Sequence, residues 1–193
     1  MRARRADKRD EEELAVATVF GDFDITDFWE NSEYALKEYV GRPLDGATVR
    51  TVEQALGYKL PASYIELMSI QNGGIPRRRC HRTHVRTTWA QDHIAITGIY
   101  SIGSERPCSL CGQYSGQFWE EEWGYPPIGV YFADCPSAGH DMLCLDYRTC
   151  GASGEPQVVH VDQEWDYKVV VVAENFEAFI RGLEDESAFE LEN

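Results

Sequence analysis

The longest uninterrupted apolar run in the sequence is Val169-Val170-Val171-Val172-Ala173. It has the length of a strand and falls far short of the roughly 18 residues that a membrane span needs. Apolar stretches of similar size recur at 93–100, 129–133, 142–147, 157–161 and 167–172. Each is bounded by Gly, Pro, Asp or Asn, the residues that end strands and begin turns. The turns between them are short. That predicts a largely antiparallel arrangement, because parallel neighbours need long crossovers.

Helical spacing frames these strands on both sides. Asn31-Ser32 precedes residues 33–40 as a capped helix. Val49, Val52 and Leu56 share one face of a helix over 48–56, and Gly57 is placed to terminate it. Pro61 opens a third helix with Tyr64, Ile65, Leu67 and Met68 as its apolar face, ended by Asn72-Gly73-Gly74. From about Asn175, the core residues Phe176, Phe179, Ile180 and Leu183 pack a last helix onto the sheet. Helices, then strands, then a helix predict an α+β fold. A length of 193 residues suits one domain: a charged arm at 1–13, the domain at 14–183 and an acidic tail at 184–193.

The chain carries 33 acidic and 18 basic side chains, a net charge of -15. The arm cancels its own charge, while Glu184, Asp185, Glu186, Glu190 and Glu192 make the tail purely acidic. Within the body, Arg77, Arg78, Arg79, Arg82 and Arg86 crowd into a loop without a single acid. The remainder of the body is therefore strongly negative. Such a chain is a poor general binder of nucleic acid or anionic membrane and suits a basic partner. Spread evenly, the charge would lie about 25 Å apart, beyond the Debye length of about 8 Å, so only clustered acids steer a partner. The arginine loop reads as a solvated segment or an internal partner for the acidic body.

Six cysteines (Cys80, Cys108, Cys111, Cys135, Cys144 and Cys150) follow an Arg-rich start that leads into acids rather than an apolar core. No signal peptide is expected, and the cysteines read as reduced thiols of a cytoplasmic protein. Cys108-Ser109-Leu110-Cys111 has half the spacing of a zinc knuckle, and Cys80, His81 and His84 are irregular candidates for the other half. The deaminase signature fails, because neither Cys80, His81, His84 nor His93 is followed two residues on by the required Glu. Asp134 to Asp141 gathers Cys135, His140 and Asp141; a thiol nucleophile is conceivable, but the segment reads first as an ordinary turn between strands, where Gly, Pro, Asp and Ser belong for conformational reasons alone. No cofactor is expected.

Glu53, Leu56-Gly57, Leu60-Pro61, Tyr64, Leu67 and Asn72-Gly73-Gly74 together resemble the helical signature of the SUKH superfamily. The later pieces agree in order: Ile96-Thr97-Gly98-Ile99, Trp123-Gly124-Tyr125-Pro126, Ile128-Gly129-Val130 and Gly139-His140-Asp141. Leu145-Asp146-Tyr147-Arg148, Gly154-Glu155-Pro156, Val158-Val159-His160-Val161-Asp162 and the closing helix complete the set, which spans residues 28–183. The resemblance implies a single α+β domain with a largely antiparallel, curved mixed sheet flanked by helices. The superfamily holds fungal cell-wall assembly regulators and bacterial immunity proteins that neutralise a cognate toxin, often a nuclease. The Cys108/Cys111 pair and the arginine loop depart from its general signature.

The expected function is thus a non-enzymatic binding protein whose partner is a basic toxin domain. The alternatives are a regulatory or scaffold module and, more remotely, a zinc protein or enzyme built on Cys108, Cys111, His140 and Asp141. Two acidic, aromatic loops are the candidate surfaces: Trp119, Glu120, Glu121, Glu122 and Trp123, and Asp162, Glu164, Trp165 and Asp166.

Overall fold

The computed structural model describes residues 18–189; the arm at 1–13 and the end of the tail at 190–193 lie outside it. Strand β1 (Trp29–Glu30) leads into α1 (Glu33–Glu38), α2 (Gly46–Leu56) and α3 (Ala62–Ile70). Four short strands follow: β2 (Ile75–Pro76), β3 (Cys80–Arg82), β4 (His93–Ala95) and β5 (Gly98–Ile99). Helix α4 (Gly116–Trp123) precedes the main strands β6 (Gly129–Asp134), β7 (Asp141–Asp146), β8 (Gln157–Asp162) and β9 (Lys168–Ala173). Helix α5 (Phe176–Arg181) and strand β10 (Leu183–Glu184) come last.

Ser32 and Asn175 cap the helices that the sequence places after them, whereas Asp45, which the spacing does not name, caps an α2 that begins at Gly46 rather than 48. Ser32 Oγ accepts from Ala35 N, Asp45 Oδ1 accepts from Thr48 N, and Asn175 Oδ1 accepts from Ala178 N, so each satisfies an otherwise orphaned helix donor. Gly57 ends α2 at φ +77°. Asn72 is buried and sews three segments together: its amide donates to Arg42 O and Ile102 O, while its oxygen accepts from Ile102 N. At neighbouring Gly73, with φ +86°, a Cβ would stand 2.5 Å from Tyr39 O, so no side chain fits.

All strand ladders among the described residues are antiparallel, in the orders β1-β2, β10-β3-β4 and β5-β6-β7-β8-β9. The parallel element is the isolated Ser101–Ser109 bridge. The five-stranded sheet is covered on both faces, which is why every residue of its central strand β7 is buried. A bulge between Tyr131 and Ala133 in β6 lies beside two rings that pack in different clusters. Phe132 packs against Phe176, Phe179 and Tyr64 at 5.5–6.0 Å, under α3 and α5. Tyr131 meets Tyr125 at 5.4 Å, and Trp119 of α4 closes on Tyr125 at 6.0 Å.

Three expectations need correction. Residues 93–100 are not one strand: Ile96 N donates to Arg79 O and Thr97 N to Asp134 O, so the chain changes sheets there and splits into β4 and β5. The arginine stretch is not all loop, since β3 lies within it and is paired on both sides. The Trp119–Trp123 segment is a helix rather than a loop, started after Ser115 and stopped by Gly124 at φ +74°. The start of the acidic tail is also structured: Glu184 lies in β10, and the Phe189 ring stacks 4.2 Å from His93.

A candidate partner-binding surface

The two acidic, aromatic segments meet. Helix α4 is pinned from inside by Trp119, 7% exposed, whose Nε1 donates to Tyr114 O at 2.9 Å. Trp123 is half-buried and stands 5.6 Å from Trp119, edge to face. Both indoles lie over Gly139, where φ is +97° and a Cβ would meet Trp119 at 2.9 Å and Trp123 at 3.2 Å. This backbone position therefore belongs to glycine, and it sets the helix onto the β6–β7 turn.

His140 follows Gly139 and joins the helix to the second segment. Its ring lies 5.9 Å from Trp123, edge to face, and its Nδ1 is 3.0 Å from Gln163 Oε1 and 3.9 Å from Glu164. Gln163 N donates to His140 O at 2.9 Å. From the other side, the Tyr167 hydroxyl donates to Trp123 O. Asp166 and Tyr167 hold φ of +55° and +57°, a left-handed pair without glycine that closes the β8–β9 connection. Its cost is offset by the Tyr167 hydrogen bond and by the ring contact with Tyr125 at 5.4 Å.

The resulting face presents Glu121, Glu122, Glu164, Trp165 and Asp166 to solvent. Glu121 accepts from Gln117 Nε2, and among the described residues no ion pair engages Glu121, Glu122 or Asp166. Glu120 is half-buried, and its carboxyl is raised by that burial and by Glu121. Trp165, 37% exposed, is steadied by Lys168 Nζ 4.5 Å and Arg86 5.7 Å from its ring. Asp162 is apart from the others. It is fully buried and accepts from Thr88 N, Thr88 Oγ1 and Trp165 N, so it builds the turn from below. Nothing local in the sequence marks His140, Gln163 and Tyr167 as parts of this face, because only the register that sets Asp141 opposite Asp162 brings the β6–β7 turn to the β8–β9 turn.

The SMI1 / KNR4 family (SUKH-1) matches residues 43–182, which includes every residue of this face. The chain belongs to that family. No curated protein matches it. The matched range takes in the helical signature and the later motifs from Ile96 to Asp162.

Cys108 is buried and pushed up to about 12 by burial and then by Asp134; Cys111 is half-buried and raised by burial. Among the described residues no third His, Cys, Asp or Glu converges on this pair. His81 instead stacks on Phe179 at 5.3 Å. Cys135 is buried with its thiol pushed well up, and His140 Nδ1 faces Gln163. Two of the five arginines in the segment are answered by acids: Arg77 pairs with Asp27 at 2.8 Å and Arg82 with Glu184 at 2.9 Å.

Proposed function

We propose that this chain is an immunity-type binding protein whose acidic, tryptophan-bearing face engages a basic toxin domain. The observation that carries the reading is the convergence of helix α4 and the β8–β9 turn on His140. Two short acidic segments become one patch with an exposed indole at its side. Aromatic anchors beside charges suit an interface centre, and unpaired carboxylates steer a cationic partner and speed its association. Family membership supports a protein partner. A regulatory module of the cell-wall-regulator kind is the other reading the family allows.

The test is to identify the genes beside this chain's own and, where one encodes a toxin-like domain, to measure binding to that domain. A Glu121→Lys, Glu122→Lys, Asp166→Lys variant is expected to slow association by about tenfold or more at low salt and to flatten its salt dependence. Trp165→Ala should speed dissociation. Unchanged kinetics in both variants would remove this face from consideration, and a neighbouring gene for wall synthesis or a kinase would favour regulation.

A further inference from the structure

We propose that Asp141, His160 and Asp162 form a binding site for one transition-metal dication of the zinc class. The three sit on adjacent central strands, with Asp141 directly opposite Asp162 and His160 two residues before it in β8. They are 2%, 0% and 0% exposed. One ligand atom from each lies within 4.8 Å of the others.

The hydrogen bonding divides the cluster unevenly. Asp162 is oriented by Thr88 N, Thr88 Oγ1 and Trp165 N, as ligating carboxylates are held by outer donors. By contrast, Asp141 Oδ1 and both ring nitrogens of His160 have no hydrogen-bond partner. His160 Nε2 stands 3.3 Å from Asp141 Oδ1, yet the two are not aligned as a hydrogen bond. Buried polar atoms without partners are rare in native proteins, and one of the two ring nitrogens, Nε2, faces Asp141 Oδ1 in the space that the three side chains share. Bonds of about 2.0–2.2 Å to a tetrahedral ion place neighbouring ligand atoms about 3.3–3.6 Å apart, and His160 Nε2 and Asp141 Oδ1 already stand 3.3 Å apart.

The donor set selects the ion. Two carboxylates and a neutral imidazole carry the charge that one dication cancels. A nitrogen donor and only two carboxylates suit zinc or cobalt better than calcium or magnesium, which take oxygen ligands in greater number. Asp141 follows His140, and Asp162 caps the turn bearing Glu164 and Trp165, so the ion would brace the exposed face from beneath.

Because the ligands are enclosed, loading is best done through folding. The full chain, unfolded with chelator and refolded with Zn²⁺ or Co²⁺, should retain one equivalent after excess metal is removed and melt at a higher temperature. The cobalt form should show tetrahedral visible bands without sulfur-to-cobalt charge transfer. Asp141→Asn and His160→Gln should weaken retention by more than about 100-fold, beyond the loss typical of outer-shell changes, while a Cys108→Ser, Cys111→Ser variant should keep it. Wild-type chain that retains no stoichiometric metal overturns the proposal. So does metal that survives both ligand substitutions or disappears with the cysteines. The assay uses no partner, so its failure is separate from failure of the immunity reading.

Discussion

Asp134 has a carboxyl whose environment opposes its charge. Burial pushes it up to about 6 from an ordinary 3.8, although the Tyr39 hydroxyl donates to both oxygens at 2.9 Å. Between about pH 4 and 6 the folded chain therefore holds a proton there that the unfolded chain has lost. Stability from this group is present below that window and declines as pH rises through it. Asp134→Asn should remove the decline: melts across pH 4–7 should show the variant gaining on wild type as pH rises, and parallel curves would contradict the assignment. Single residues were unevenly legible. Asn72-Gly73-Gly74 and the caps Ser32 and Asn175 work through local backbone chemistry, which spacing reveals. Asp162 sits in an acidic run and reads as exposed, but a strand covered on both faces has no polar alternation to betray burial.

Helix α4 illustrates why elements differ in legibility. Residues 118–123 hold two tryptophans and three glutamates, a composition that reads as a surface loop. What makes it a helix is the seat for Trp119 and Trp123 over Gly139, a contact made at a distance in sequence. Trp119→Ala should therefore cost about 3–5 kcal/mol in chemical denaturation, as expected for emptying a buried indole site. Trp165→Ala, on a half-open ring, should cost under about 1 kcal/mol. Equal losses would mean that the helix is not fastened in this way. The four long strands were legible to within a residue because each is an apolar run between turn residues, interrupted in β8 by His160 alone. The split of 93–100 was not, since only its partners reveal the change of sheet.

At the scale of the molecule, charge is organised by topology. The acidic end of the chain returns to the arginine segment: Glu184 pairs with Arg82, the Asp185 carboxyl is held below its usual range by hydrogen bonds from Ser187 with a smaller contribution from Arg78 and Arg79, and Arg82 lies 4.6 Å over Phe189. Removing residues 185–193 should uncover a positive strip on an otherwise acidic protein. A polyanion column at physiological salt checks this: the shortened chain should be retarded and the full chain should not. The overall charge was plain from composition, but its arrangement depended on a pairing between distant parts of the chain.

That pairing also has a consequence for the order of folding. The β6–β9 hairpins join neighbours in sequence, whereas Arg82 and Glu184 are 102 residues apart. Closing so long a loop costs entropy before any contact repays it, so β10 is expected to dock after the hairpins have formed. During refolding the arginine strand then passes through an interval with one edge unpaired. In that interval the arginine edge is expected to stand open to a polyanion, until the chain's own acidic strand docks over it.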